Sequence, residues 1–246
     1  MTTPHRIGLI VPSSNVTMES EIPALLRARE AIRPERFTVH ASRMRMTTVS
    51  ADELARMDAQ SLRCAEELSD AAVDVQAYAC LVAIMSQGPG AHRASAARLG
   101  EVARAPVLSS AGALVDALHH LGARRVAMVC PYEKPLAKLV VDYFASEGIT
   151  VVDHIALEIP DNLEVAAQDP EAPARLWREL DVSDADAIIA SACVQMPSLP
   201  AVPRIERESG LPTLSAAVAT TWSVLRTLDL EPVAPGGGTL LAPSQP

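Results

Sequence analysis

The sequence predicts an α/β fold of two pseudo-symmetric lobes, each a mainly parallel sheet flanked by helices, with a cleft between them. Three observations carry that reading. Short apolar runs alternate with amphipathic helical stretches, the pattern of a parallel sheet covered on both faces. The alternation then starts again: Arg125-Val126-Ala127-Met128-Val129-Cys130-Pro131 lies over Arg6-Ile7-Gly8-Leu9-Ile10-Val11-Pro12, matching arginine, apolar positions and proline. Apolar runs ending at Cys80 and Cys193 come after these starts at similar intervals, and Pro106-Val107-Leu108-Ser109-Ser110-Ala111 matches Pro212-Thr213-Leu214-Ser215-Ala216-Ala217. Three matches in one order mark a tandem duplication of one α/β unit, roughly residues 1–110 and 120–215.

Taken in order, Arg6 to Val11 is a buried strand stopped by Pro12 and by the turn residues Ser13-Ser14-Asn15. A helix is expected from Met18 to Arg29, a second strand from Phe37 to Met44, and one amphipathic helix from Ser50 to Ser69, capped near Ser50 or Asp52. Val75 to Ala83 reads as a third strand. Residues 111–121 and 217–228 are helical in pattern, each placed after the last strand of its half and able to cross to the opposite half. Lobes are therefore expected over 1–115 and 116–225, with the Pro- and Gly-rich residues 226–246 an irregular tail.

Composition removes whole classes of function. The chain has 246 residues, enough for one α/β domain or two small lobes, and is 49% hydrophobic, which supplies a substantial core. Aromatic residues make up only 3% and the formal net charge is −9, so neither base stacking nor phosphate binding is served and nucleic acid is not an expected partner. The arginines between Arg27 and Arg45 alternate with glutamates and read as a solvated face. Residues 1–12 lack the apolar core of a signal peptide, and no run reaches the roughly eighteen uncharged apolar residues of a membrane helix, so a cytoplasmic protein without a membrane partner is expected. The four cysteines lie far apart with no metal-ligand spacing; free thiols and no metal are expected. Asn15-Val16-Thr17 matches a glycosylation sequon, a chance match without secretion.

Ligands of open parallel sheets bind beyond the carboxyl ends of the strands, which is where Pro12 to Asn15, Cys80-Leu81-Val82, Pro131-Tyr132 and Cys193-Val194-Gln195 fall. Two thiols in equivalent positions of facing halves can act as base and acid, or as nucleophile and proton donor, with no cofactor. Cys64, on a helix face, and Cys130, in place of Val11, read as core residues. Ser13, Ser14, Asn15 and Tyr132 are neutral donors suited to a carboxylate, and no basic residue falls within these four loops. Asn162 comes after the apolar run Val151 to Ile159 and either covers the cleft or serves as a loop or helix cap.

These residues resemble a known family. Gly8-Leu9-Ile10-Val11-Pro12-Ser13-Ser14-Asn15 with Thr17-Met18-Glu19, Tyr78-Ala79-Cys80-Leu81-Val82-Ala83-Ile84-Met85, Pro131-Tyr132 and Ser191-Ala192-Cys193-Val194-Gln195-Met196-Pro197 are similar to the maleate cis-trans isomerases of the aspartate/glutamate racemase superfamily, over almost the full length. The resemblance implies cofactor-free conversion of maleate to fumarate through a covalent succinyl-cysteine, in a homodimeric enzyme. It implies Cys80 as nucleophile and Cys193 as proton donor, with Asn15, Tyr132 and Asn162 binding the dicarboxylate and Leu81, Val82, Val194 and Gln195 supplying loop contacts. Val16 departs from the pattern, where a threonine is expected, and Gln87-Gly88-Pro89-Gly90-Ala91-His92 is less typical. Two alternatives stand beside this reading: a cysteine-pair racemase or a decarboxylase of the same superfamily, and a carboxylate-binding protein without turnover.

Overall fold

The computed structural model describes residues 3–243; residues 1–2 and 244–246, the outermost parts of the expected first lobe and tail, lie outside the described residues. The first half runs β1 (His5–Pro12), α1 (Met18–Glu30), β2 (Phe37–Met44), α2 (Ala51–Asp58), α3 (Ser61–Asp70), β3 (Val75–Tyr78), α4 (Leu81–Met85), α5 (Ala91–Gly100), β4 (Val107–Ser109) and α6 (Ser110–His120). The second runs β5 (Arg125–Cys130), α7 (Lys134–Ser146), β6 (Thr150–Ala156), α8 (Asn162–Ala166), α9 (Pro173–Leu176), β7 (Ala187–Ser191), α10 (Ala201–Ser209), β8 (Thr213–Ser215) and α11 (Ala216–Thr227). Each half builds a four-stranded sheet, ordered β2-β1-β3-β4 and β6-β5-β7-β8, with every neighbouring pair parallel. Both sheets therefore have the same order, as the internal matches require.

Buried strands in such sheets are apolar on both faces, and β1, β5 and β7 carry Ile7, Leu9, Ile10, Val126, Met128, Val129, Ile188 and Ile189 fully buried. The repeated Leu-Ser-Ser/Ala motif proves to be a strand end and a helix cap. Ser109 Oγ accepts from the Gly112 amide and Ser215 Oγ from the Val218 amide, so α6 and α11 start in the same way. The two helices pack side by side, and α11 also reaches α1, β3 and β4 of the first sheet. Away from the cleft, α5 is tied to α7: the His92 amide donates to Tyr143 Oη at 3.1 Å, the His92 ring bonds the same hydroxyl, and Arg93 pairs with Glu147 at 2.8 Å.

Three expectations need correction. The helix expected over Ser50 to Ser69 is two helices, broken at Ala59–Gln60. Ser50 does cap the first, its hydroxyl accepting from Glu53, but the Gln60 carboxamide leaves the helix line to bond the backbone of Arg45 and Arg56, and Ser61 Oγ donates to the Asp58 carbonyl. The strand expected to reach Ala83 ends at Tyr78, because β1 supplies its last paired position at Ile10 and its last carbonyl to Ala79; Leu81–Met85 turns into α4. Arg29 is not solvated but 1% exposed, donating to the carbonyls of Glu231 (2.6 Å) and Val233 (2.9 Å) and pairing with Glu35. The tail is irregular apart from a turn at Thr239–Leu241, yet Val233, Ala234, Leu240 and Leu241 are buried.

Candidate active site

Cys80 and Cys193 occupy equivalent places, each the second residue beyond the end of a central strand, β3 and β7. Their continuations differ. Cys80 precedes α4 directly, whereas Cys193 enters a turn through Val194 to Pro197, held at its start by Ser191 Oγ donating to the Cys193 carbonyl at 3.0 Å. The two cysteines line one small cavity, about 20 Å³ in this closed form, together with Pro12, Asn15, Met46, Val49, Val82, Tyr132, Asn162, Val194 and Gln195. Larger grooves lie elsewhere, one along Pro23, Leu26 and Val39, but they contain no thiol. Leu81 is fully buried and does not line the cavity. Ser13 and Ser14 do not line it either; both hydroxyls donate to the Met46 carbonyl.

Burial sets the chemistry of the thiols. It pushes Cys80 up to about 12, with the nearby Cys193 and Asp58 adding to the rise and the Ala83 amide, which points at the sulfur without closing a full hydrogen bond, opposing it. Burial raises Cys193 too, opposed by the neighbouring Tyr132 hydroxyl and by the amides of Gln195 and Met196, of which the Gln195 amide donates to Sγ at 3.3 Å. Both groups are therefore neutral thiols in the closed cleft near neutral pH. Tyr132, wholly enclosed, is held well above the ordinary phenol range by burial and by its cysteine neighbours. Cys130 at the end of β5 is likewise raised to about 12 by burial and does not line the cavity.

Three of the polar side chains lining the cavity are each engaged with the protein itself. Asn15 Nδ2 donates to the Val194 carbonyl (3.1 Å), Asn162 Nδ2 to Ser14 Oγ (2.7 Å) and Tyr132 Oη to the Ala192 carbonyl (3.1 Å). Each is a donor parked on one neutral oxygen. Among the described residues, no lysine, arginine, aspartate or glutamate lines the cavity. Asn162 is the first residue of α8, whose cap is Asp161, and the Thr48–Asp161 bridge joins its segment to the loop after β2.

Met46 and Val49 escaped the sequence reading. They lie in the loop beyond the carboxyl end of β2, an edge strand, and applying the strand-end rule to that strand as well as to β1 and β3 points to them.

A protein-family model described as arylmalonate decarboxylase (Amdase) matches residues 7–241. A maleate isomerase from Pseudomonas putida is 58% identical over 247 residues, covering 98% of this chain and 99% of the relative. A crystal structure of a Pseudomonas putida maleate isomerase variant with maleate superposes with a TM-score of 0.97 at 58% identity, covering 98% of this chain and 99% of that one. A Nocardia farcinica maleate cis-trans isomerase mutant with a covalently bound succinylcysteine intermediate gives 0.94 at 50% identity, covering 97% and 98%. With the same two-sheet fold and such identity along nearly its whole length, the chain belongs to the maleate isomerases within the arylmalonate decarboxylase family.

Proposed function

We propose that this protein isomerises maleate to fumarate without a cofactor, through a succinyl-cysteine intermediate, with Cys80 as nucleophile and Cys193 as proton donor. The observation that carries this is the placement of two buried thiols, one from each half, on a single small cavity with no charged side chain among the described residues of its lining.

The double bond of maleate blocks rotation. Addition of the Cys80 sulfur to one olefinic carbon and of a proton from Cys193 to the other leaves a single bond that turns freely. After rotation, the Cys193 thiolate takes a proton back from the carbon beside the thioether, the C–S bond breaks, and fumarate leaves with both cysteines restored. A thiolate attacking a dianion meets repulsion, so the site must carry the charge that gathers on the carboxylate oxygens. Asn15, Tyr132 and Asn162 do this by turning their parked donors onto the substrate, exchanging one neutral acceptor for a charged one. Val82 and Val194 shape the walls, and the buried Leu81 at the start of α4 contributes through its backbone. The Cys80 thiolate forms while the cleft is open to water, since the closed cleft favours the thiol. A lining without a carboxylate offers no counter-charge to an ammonium group, which weighs against an amino acid racemase.

The same reading takes residues 1–115 and 116–225 as lobes with 226–246 as the tail, in a cytoplasmic homodimer. Among the described residues no helix is long and apolar enough to cross a membrane. Light scattering on the purified protein measures the oligomeric state directly.

The function is tested by a proton NMR time course with maleate in the presence of EDTA, with Cys80→Ser and Cys193→Ser in parallel. Fumarate is expected from the unmodified protein and none from Cys80→Ser. Cys193→Ser is expected to stall with the mass of one maleic acid added at Cys80. Full activity in Cys80→Ser rules out the covalent route.

A further inference from the structure

Gln195 stands apart from the other polar groups of the cavity. It is 2% exposed, and its carboxamide is committed on every side to backbone. Nε2 donates to the carbonyls of Ser14 (2.8 Å) and Asn162 (2.9 Å), and Oε1 accepts from the Val16 amide (3.0 Å). The backbone of the same residue holds the turn: its carbonyl accepts from Thr17 Oγ1 at 2.7 Å, and its amide donates to Cys193 Sγ at 3.3 Å. One residue thus joins three segments: the turn after β1, the cover segment that opens α8, and the Cys193 turn. Both N–H groups and the oxygen of the carboxamide have partners, so a ligand finds no donor left on this side chain in the closed cleft. Asn15, Asn162 and Tyr132 each release a single parked donor on binding, whereas recruiting Gln195 would break the joint itself.

We propose that Gln195 is a positioning residue whose side chain latches the cleft shut over Cys80 while its backbone fixes the Cys193 sulfur, rather than a side-chain ligand of the substrate. Its kinetic consequences rest on the isomerase reading above. The closed cavity, about 20 Å³, has no room for a dicarboxylate, so the latch must open for substrate to enter and close before addition. A second tie keeps the moving part small. Glu21 accepts from the amides of Ser198 and Leu199 at 2.6 and 2.7 Å, so the far end of the Cys193 turn stays on α1 when the cover segment lifts.

The test uses Gln195→Glu and Gln195→Met in the full chain. When ionised, the glutamate presents an oxygen to two carbonyls that now receive donors; when protonated, it recovers one donor. Gln195→Glu is therefore expected to lose roughly 10²-fold in kcat/KM at alkaline pH through misplacement of the reacting groups, and to regain part of it as pH falls through its own titration. That trend is opposite to the parent, whose thiolate supply falls in acid, and a merely structural defect does not produce it. Gln195→Met is expected to raise the rate of Cys80 alkylation by iodoacetamide, without substrate, by about tenfold or more, read by peptide mass spectrometry. If Gln195→Met does not fold, the same alkylation measurement on Gln195→Asn, one methylene shorter, decides the point. Parental kcat/KM in Gln195→Glu, or a raised KM with unaltered kcat and unaltered Cys80 alkylation in the methionine or asparagine variant, overturns the latch. Should the parent make no fumarate, the isomerase reading fails and the alkylation arm alone judges the latch.

Discussion

At the scale of single residues, the cysteines show how far residue type and position carry a functional reading. Their spacing after two matched strand starts was legible because duplication repeats the pattern, and the family motifs around Cys80 and Cys193 sharpened it. What spacing does not carry is the state of the thiol. Burial favours the uncharged form, so Cys80, pushed up to about 12, supplies thiolate in proportion to hydroxide below that value. The substrate-free protein is expected to react with iodoacetamide about tenfold faster per pH unit up to pH ~10. A plateau near the free-cysteine value of about 8.5 would show that the substrate-free cleft stands open most of the time rather than rarely. Glu21 gives a second case. Burial raises its carboxyl above the ordinary range, while the Ser198 and Leu199 amides oppose the rise. A raised carboxyl favours folding below the unfolded-state value and loses that contribution as pH rises through the folded-state value. Glu21→Gln keeps an oxygen for both amides and is expected to gain stability relative to the parent as pH rises through that interval. Glu21→Ala leaves two buried amides without an acceptor and is expected to lose about 1–3 kcal/mol in urea unfolding.

Among elements, agreement tracked the strength of local signals. β2 was legible to the residue, Phe37–Met44, opening shortly after Pro34, and α1 was placed within one residue of its end. The apolar run Val75 to Met85 has no periodicity to divide it; only the partner strand does so, by running out of pairing at Ile10. The Gln87 to His92 segment is also clearer in space. Gly88 and Gly90 take φ of 97° and 72°, a left-handed path that glycine adopts without steric penalty, and it turns the chain from α4 into α5. The repeated Ser109 and Ser215 caps offer an element-level test. Each accepts one amide at the start of a buried helix, so Ser109→Ala and Ser215→Ala should each cost about 1 kcal/mol, with similar losses in the two halves. Thermal unfolding of both variants checks this. A loss confined to one half would mean that the matched motif does not play matched roles.

For the molecule as a whole, the tail was the least legible part. Its proline and glycine content spoke only of irregular backbone, and nothing local announced that Arg29 would take hold of it from two hundred residues away. Among the described residues, the guanidinium is the sole side-chain donor to the Glu231 and Val233 carbonyls, so Arg29→Ala should destabilise the protein by roughly 3–5 kcal/mol and Arg29→Lys should recover only part. Urea unfolding followed by tryptophan fluorescence, with Trp222 on α11, the helix that packs against the Thr239–Leu241 turn, measures both. The common strand order of the two sheets bears on ancestry. A forerunner of half this length would carry one such thiol and would complete the cavity only by associating with its twin. Its two sulfurs would then be interchangeable, and any change near one would be copied at the other. Fusion ended that bondage: a helix could grow directly behind Cys80 and a proline-rich turn behind Cys193, giving one ancestral group two separate careers.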